Sequence, residues 1–336
     1  MFVEPEPVRD RRCAPRLQKL PVAFLCGGQG AQSFQMAHEL YGQRRAFRAW
    51  MNELDALVRP LFGLSVLDRL YDPGRNSAED CDDLHLTHPA IFMVEYALGR
   101  MLIERFGMPD CIVGASLGEL VAAALAGALP LDQALDLLKR HVEVFGRWRG
   151  GGGMLAILAD PAVLEDCPDL AGACEVATLV DASHFVVAGN AAALAGGRRA
   201  ASARRVGVLE LPVRVPFHSS GLDGYKCEIL AGLGMDWRPP VIPVISCRTG
   251  ERLKHYADDN LWSVVREPVR IGDTLDRLEA AGPHIYVDLS PGSVFASTLA
   301  RRRDGTAGRT FHILGPGGGD VRRLARVEAV LQARAA

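Results

Sequence analysis

The sequence has almost no net charge and no long apolar run. Its 38 basic and 40 acidic residues leave a formal net charge of −2 at pH 7, so no overall field favours binding to nucleic acid or to an anionic membrane. No stretch reaches the roughly 18 apolar residues that a membrane helix needs, and the N-terminus has no apolar signal-peptide segment. We therefore expect a cytoplasmic protein that binds neither nucleic acid nor membranes.

Patterns typical of metal sites and disulfide frameworks are missing as well. The eight cysteines include no C-x-x-C pair, and the nine histidines include no H-E-x-x-H or comparable pattern. Hydrophobic residues make up 49% of the chain, which is enough for a core that needs neither metal nor disulfide. The sequence predicts reduced core cysteines, no bound metal and no cofactor.

The order of predicted elements indicates an α/β protein with two domains behind a flexible lead-in at residues 1–19. Residues 20–149 and 216–336 alternate strands with helices, which predicts an α/β-hydrolase-like catalytic domain built on a parallel sheet. A run of four glycines ending at Gly153 marks the clearest break. Residues 150–215 then read β-α-β-β-α-β, the pattern of a ferredoxin-like small domain. Periodicity also predicts helices from about Ser33, at 47–70 and at 220–233, and strands at 207–215 and 240–246.

Residues 114–118 read G-A-S-L-G where a predicted strand turns into a predicted helix. In this setting the G-x-S-x-G pattern indicates a nucleophile elbow, because glycines permit the sharp turn that presents the serine hydroxyl at the helix N-terminus. There the backbone N–H of Leu117 and the helix dipole can stabilise a developing oxyanion. Ser116 is therefore the candidate nucleophile.

A serine nucleophile needs a base within hydrogen-bond reach. His218 ends the segment V-R-V-P-F-H, at the point where the chain returns from the small domain to the large one. A cleft is expected between the domains, so His218 is the candidate base. The other histidines are interpreted as surface or core residues, apart from His88 and His141.

Several motifs together resemble the malonyl-CoA:acyl-carrier-protein transacylase family, which includes the acyltransferase domains of fatty-acid and polyketide synthases. The likeness spans roughly residues 20–320. The motifs are G-Q-G-A-Q at 28–32, T-H-P-A at 87–90, G-A-S-L-G-E at 114–119, V-P-F-H-S at 215–219, R-E-P-V-R at 266–270 and V-D-L-S-P-G at 287–292.

The resemblance implies a role for each matching position. Ser116 would be the nucleophile, His218 the general base and then acid, and the backbone N–H groups of Gln29 and Leu117 the oxyanion hole. In the family backbone carbonyls orient the imidazole, so no acidic triad member is implied. The substrate would be an acyl thioester of coenzyme A or of the phosphopantetheine arm of an acyl carrier protein.

The chain departs from the family at the acyl-binding positions. Ala115 stands where the family usually has His, and His88 stands where Gln is common. The family's carboxylate-clamping Arg aligns without gaps to His141, while Arg140 is one position early, a rotation of about 100° on a helix. A bidentate clamp does not tolerate that rotation, so malonyl selectivity is in doubt. Together with Phe217, these residues are the candidate substrate-binding set.

These departures leave more than one function open. The chain looks most like free-standing, trans-acting acyltransferases of polyketide synthases, and members without the arginine clamp include acyl hydrolases that clear stalled chains from carrier proteins. Acyl-carrier-protein hydrolysis is the leading prediction. The alternatives are malonyl transfer from coenzyme A, a catalytically silent docking module, and an ordinary α/β-hydrolase esterase, for which a late acid followed by His would be required.

Carrier proteins are acidic, so clustered arginines are candidates for their docking face. The alternative for each cluster is a solvated helix or loop face. We expect a monomer. The clusters are Arg198, Arg199, Arg204 and Arg205 in the small domain and Arg301, Arg302 and Arg303 near the C-terminus.

Overall fold

The computed structural model describes residues 19–30, 32–292, 294–302, 304–315 and 317–335, so the predicted lead-in at residues 1–19 lies outside it except for its last residue. Within these residues, eleven strands form two sheets. The strands are β1 (Val22–Cys26), β2 (Cys111–Gly114), β3 (Gly153–Leu158), β4 (Glu175–Asp181), β5 (His184–Gly189), β6 (Gly207–Glu210), β7 (Val244–Ser246), β8 (Glu251–Arg252), β9 (Val269–Arg270), β10 (Ile285–Asp288) and β11 (Thr310–His312).

Helices connect and cover these strands. They are α1 (His38–Gln43), α2 (Arg45–Phe62), α3 (Val66–Leu70), α4 (Leu84–Phe106), α5 (Leu117–Leu125), α6 (Leu131–Phe145), α7 (Val163–Asp166), α8 (Pro168–Ala173), α9 (Ala191–Ala203), α10 (Lys226–Leu230), α11 (Asp258–Arg266), α12 (Ile271–Ala281), α13 (Val294–Ala300) and α14 (Asp320–Ala335). No helix in the described part of the chain is both long and apolar enough to span a bilayer.

The larger sheet has the strand order β11-β10-β1-β2-β7-β8. Neighbours pair in parallel except β7 and β8, which are antiparallel. The sheet is therefore mixed, whereas the sequence predicted a parallel one. Because side chains alternate along a strand, Val22 and Phe24 of β1 face one core, and Ala23 and Leu25 face the other.

The smaller sheet has the strand order β6-β3-β5-β4-β9. Its first four strands are antiparallel, and with α7, α8 and α9 they form a β-α-β-β-α-β unit. The fifth strand, β9, pairs in parallel with β4 at Thr178 and Val269. It comes from beyond residue 215, so the chain enters the smaller sheet once more than the sequence predicted and then returns to the larger one.

Several predicted boundaries are wrong. The predicted helix 47–70 is interrupted because Gly63 ends α2 with a φ of 69°, and Ser65 then caps α3. The helix expected near Ser33 begins at His38. The predicted helix 220–233 is a 3₁₀ helix at Ser220–Tyr225 followed by the short α10. The predicted strands 207–215 and 240–246 shorten to β6 and β7.

Helix α4 runs through the large core and carries Thr87 and His88 near its start. Asp83 caps it by accepting a hydrogen bond from the His85 N–H at 3.0 Å, and the helix ends at Gly107, which has a φ of 87°. Helix α5 follows β2 directly and is buried along its whole length. These two helices and β1 bring the site residues together.

The described cysteines are unpaired thiols, and most are buried, as predicted. Cys227 is an exception because it is exposed on α10.

Candidate active site

The predicted nucleophile elbow lies at the junction of β2 and α5. Ser116 has φ 55° and ψ −126°, a strained backbone for a residue with a side chain. The glycines on either side permit the turn: a Cβ on Gly114 would lie 2.6 Å from the Cα of Glu119, and one on Gly118 would lie 2.1 Å from the carbonyl oxygen of Cys26. The close contact between β1, β2 and α5 therefore depends on both glycines.

His218 faces this serine from the loop that follows the small-domain unit. Its Nε2 lies 2.9 Å from Ser116 Oγ, and its Nδ1 lies 2.8 Å from the carbonyl oxygen of Glu267. Because a carbonyl oxygen can only accept, Nδ1 carries the proton and Nε2 is free to accept the serine proton. The backbone N–H of His218 donates to the Val265 carbonyl at 2.9 Å, which fixes a left-handed φ of 61°.

Burial lowers the pKa of His218 to about 4, against the smaller opposing effect of the hydrogen bond to Glu267. The side chain is therefore neutral at pH 7, which is the state that a general base requires.

The glycine-rich loop after β1 lies over the serine. A Cβ on Gly28 would lie 3.0 Å from the Cβ of Ser116, so a side chain at this position would displace Ser116 or the loop by a few tenths of an ångström. The Gln29 amide donates from Nε2 to Thr87 Oγ1 at 2.7 Å and to His88 Nδ1 at 2.5 Å. Both amide protons of Gln29 are thereby used, and the loop is anchored to α4.

The two predicted oxyanion-hole residues both line the cavity at Ser116. Leu117 is the first residue of α5, so its N–H has no intrahelical partner. Gln29 lines the same cavity as Ser116 and Leu117. That these two N–H groups form an oxyanion hole for a carbonyl at Ser116 stays a prediction.

An inner cavity extends from Ser116 into the large core, with a free space of about 40 Å³. Its wall combines apolar side chains with a few polar ones. The lining residues are Gln29, His88, Ser116, Leu117, Glu119, Leu120, Ala123, Leu137, His141, Phe217, Trp237, Tyr256, Asn260, Leu261, Val264 and Val265.

Charge is scarce in this cavity. Burial lowers the pKa of His88 to about 3 and that of His141 to about 4, so both are neutral at pH 7. Burial raises the pKa of Glu119 to about 7, although Ser246 donates a hydrogen bond to its carboxylate at 2.9 Å. Among the described residues, no lysine or arginine lines the cavity.

The structure does not bring Arg140 to the site. Its guanidinium donates to the carbonyl of Ile229 at 3.2 Å and to that of Ala231. His141, the next residue on α6, faces the cavity instead. Arg140 is therefore not among the residues that line the cavity.

An outer cleft of about 470 Å³ leads from Ser116 and His218 to the surface. One wall is the glycine-rich loop together with Ala115, and another includes Met154 and Leu209 of the smaller sheet and Leu211 just after β6. Phe217 lines both the cleft and the inner cavity, and stacks on His88 with ring centroids 5.7 Å apart.

Sequence reasoning missed several lining residues. Trp237, Tyr256 and Asn260 reach the cavity from segments with no motif, and only the fold brings them there. Thr87 was noticed only as part of a motif, and nothing in the sequence indicated its bond to Gln29.

Comparison with known proteins identifies the family. The family model described as "Acyl transferase domain" matches residues 23–331. The chain is 37% identical over 281 residues to the polyketide biosynthesis acyltransferase homolog BaeD of Bacillus velezensis, covering 82% of this chain and 86% of that protein. It is 32% identical over 311 residues to the homolog PksD of Bacillus subtilis, covering 92% and 96%. The solved malonyl-CoA:acyl carrier protein transacylase of Xanthomonas oryzae superposes with a TM-score of 0.77 at 25% identity, covering 94% of this chain and 98% of that one. The chain therefore belongs to the acyl transferase domain family, and the predicted likeness to malonyl-CoA:acyl-carrier-protein transacylases is confirmed.

Proposed function

We propose that this protein is a polyketide-pathway enzyme that removes acyl groups from acyl carrier proteins by hydrolysis through an acyl-Ser116 intermediate. The observation that carries the proposal is the inner cavity beside Ser116, which among the described residues has no cation in its wall. Similarity to BaeD and PksD supports the polyketide setting.

The proposed reaction uses the two hydrogen bonds of His218, to Ser116 and to Glu267. As Ser116 Oγ attacks the thioester carbonyl, its proton passes to Nε2 of His218, and the Glu267 carbonyl stabilises the imidazolium through Nδ1–H. The oxyanion accepts from the N–H groups of Gln29 and Leu117. When the C–S bond breaks, His218 returns the proton to the leaving thiolate. A water molecule then attacks the acyl ester with His218 as base again, releasing the free acid and Ser116.

A malonyl group fits this cavity poorly. Its free carboxylate would be buried beside neutral His88 and His141, and burial of an unpaired carboxylate is strongly unfavourable. The predicted cation, Arg140, donates instead to the backbone carbonyls of Ile229 and Ala231. Neutral acyl groups are therefore the proposed substrates, and malonyl transfer is the alternative.

The outer cleft gives the thioester arm a route to the serine. Its wall includes the small-domain sheet, so we propose that residues 150–215 form a small domain covering the entrance, with β9 extending its sheet. The large domain would comprise residues 20–149 and 216–336. The phosphopantetheine arm of a carrier protein is the group that would occupy the cleft.

The arginines of the two clusters differ in whether they are free to bind an acidic carrier protein. Arg198 pairs with Glu210 at 2.7 Å, Arg301 with Asp181 at 2.9 Å, and Arg302 with Asp276. Partners on the same chain reduce the field that these three cations offer to an acidic protein. Arg303 lies outside the described residues. We propose the remaining small-domain cations, Arg199, Arg204 and Arg205, as the docking face.

The test is intact-protein mass spectrometry of wild type and Ser116→Ala, each offered malonyl-CoA, butyryl-CoA and the same acyl groups on a carrier protein. Hydrolysis predicts butyryl adducts that form on wild type and decay to free acid, and no malonyl adduct. A stable malonyl adduct that passes to the carrier protein would establish the transferase instead. Adducts on Ser116→Ala would refute the assigned nucleophile, and no adduct on either protein would indicate the docking module.

A further inference from the structure

Two polar atoms at the wall of the inner cavity have nothing to bond with. Nε2 of His141 and the hydroxyl of Tyr256 are both buried, and neither has a hydrogen-bond partner among the described residues. His141 is only 4% exposed. Buried polar groups in folded proteins are nearly always paired, so two unpaired ones at a single cavity need an explanation.

Aromatic contacts fix both rings but provide no hydrogen-bond partner for either polar atom. The His141 ring lies 5.6 Å from that of Phe145, and the Tyr256 ring stacks on Trp237 at 5.2 Å. The Trp237 N–H already donates to Asp258 at 2.8 Å. His88 is engaged through Nδ1 by Gln29. The polar neighbours have partners, and the two unpaired atoms do not.

We propose that the inner cavity binds an acyl chain that carries a hydroxyl group, and that His141 and Tyr256 supply the hydrogen bonds to it. The proposal rests on the acyl-Ser116 chemistry proposed above and names its substrate class. The apolar walls formed by Leu120, Leu137 and Leu261 suit the hydrocarbon part of such a chain. A turn of the imidazole about its Cβ–Cγ bond, a torsion with broad minima, would direct Nε2 at the ligand.

A hydroxyl group matches these two partners better than a carbonyl does. The Tyr256 phenol donates readily, and a hydroxyl oxygen accepts from it. The unpaired nitrogen of neutral His141 is a donor in one tautomer and an acceptor in the other, and a hydroxyl pairs with either. A carbonyl oxygen can only accept. A site built to bond a hydroxyl discriminates against the analogue that lacks it, because its own polar groups stay unpaired.

The test compares acyl-pantetheine thioesters of one chain length: butyryl, 3-hydroxybutyryl, 4-hydroxybutyryl and 3-oxobutyryl. Rates would be measured for wild type, His141→Phe and Tyr256→Phe. Tyr71→Phe is the matched control, because Tyr71 also has a buried unpaired hydroxyl but does not line the cavity. Calorimetric binding of the same thioesters to Ser116→Ala gives the comparison without turnover.

We expect wild type to prefer at least one hydroxybutyryl thioester over butyryl by roughly tenfold or more in kcat/KM. The ratio should fall to within about threefold in His141→Phe and Tyr256→Phe and stay unchanged in Tyr71→Phe. Tyr256→Phe removes one oxygen atom, so it decides the question if His141→Phe fails to fold. A wild-type ratio near one, a ratio that neither variant changes, or equal preference for 3-oxobutyryl would overturn the inference. Failure of the proposed hydrolysis is separate: no thioester would then release free acid, while the binding preference of Ser116→Ala persists.

Discussion

Ser116 and His218 are joined by a 2.9 Å hydrogen bond, and both have a positive φ, 55° and 61°. Residues with a side chain rarely adopt this backbone region. Different neighbouring residues stabilise the conformation at each of the two positions. The Gly114 and Gly118 contacts with α5 and β1 fix the serine, and the Val265 carbonyl fixes the histidine. The chain therefore stabilises two strained turns that face each other across the cleft.

Replacement of the base should slow acylation without disturbing the turn. His218→Asn keeps a residue type that tolerates the left-handed region but removes the nitrogen that accepts the serine proton. We expect acyl-Ser116 formation to slow by roughly 10²–10⁴-fold, measured by quenched-flow mass spectrometry. Circular dichroism should show an unchanged fold. A rate within a few-fold of wild type would remove His218 from the mechanism.

Alanine substitutions should distinguish glycines that are needed because another segment packs closely against them from glycines at which a side chain would have room. Gly118→Ala places a Cβ 2.1 Å from the Cys26 carbonyl oxygen, so we expect a severe loss of stability in thermal melts. Gly28→Ala meets the Cβ of Ser116 at 3.0 Å, and it should reduce acylation more than stability. Gly42→Ala in α1 has no neighbour within 4 Å and should stabilise by about 0.5–1 kcal/mol. Equal effects of all three would contradict the packing argument.

The Thr87 hydroxyl should matter through Gln29. Thr87→Val keeps the shape of the side chain and removes the acceptor that lies 2.7 Å from Gln29 Nε2. The glycine-rich loop after β1 loses one anchor, so we expect kcat to fall roughly tenfold with little change in KM. The control is Thr298→Val on α13, where a buried threonine hydroxyl donates to the Val294 carbonyl at 2.9 Å. A similar kinetic loss in the control would assign the effect to general destabilisation.

The sequence was sufficient to predict the structure wherever a local pattern has a single physical explanation. The elbow around Ser116 needs glycine on both sides, and the order of strand and helix patterns predicts the β-α-β-β-α-β unit. The very short strands β8, β9 and β11 were missed because two or three residues carry no periodicity. Tyr256 and Trp237 reach the cavity through tertiary packing, which no spacing in the sequence reveals. Whether Ser116 and His218 catalyse the reaction stays a prediction.

The pH dependence of acylation should follow the buried His218. Its pKa is lowered to about 4, so the imidazole stays neutral and able to accept a proton well below the ordinary value near 6.5. We expect kcat/KM for butyryl-pantetheine to be level from neutral pH to about 5 and to reach half its maximum near pH 4. Circular dichroism at each pH would verify the fold. A midpoint near 6.5 would show that the base is solvated.

His218 should also make the unfolding free energy depend on pH. The pKa of His218 is lower in the folded protein than in the unfolded chain. As the pH falls from about 6.5 to 4, the unfolded chain therefore binds a proton on this residue and the folded protein does not. Relative to His218→Asn, the unfolding free energy of wild type should decrease by about 1.4 kcal/mol per pH unit in that window. Urea titrations at several pH values measure this difference. A difference that does not vary with pH would contradict a neutral, buried His218.

An arginine at position 141 should give the cavity the cation that it lacks. His141 faces the cavity from α6, whereas Arg140 is held by the carbonyls of Ile229 and Ala231. In His141→Arg the new guanidinium can pair with a malonyl carboxylate beside Ser116. We expect malonyl-CoA to form a malonyl adduct on Ser116 of this variant and none on wild type.

Arg140→Ala is the matched control for this gain, because it removes the neighbouring arginine of α6 and should leave the exclusion of malonyl-CoA unchanged. A buried arginine without its anion is destabilising, so the melting temperature of His141→Arg should be lower than that of wild type and should rise when malonyl-CoA is added. Malonyl adducts on wild type that disappear in Arg140→Ala would reverse the assignment, since Arg140 would then reach the substrate. No adduct on a folded His141→Arg would mean that position 141 does not control the acyl group.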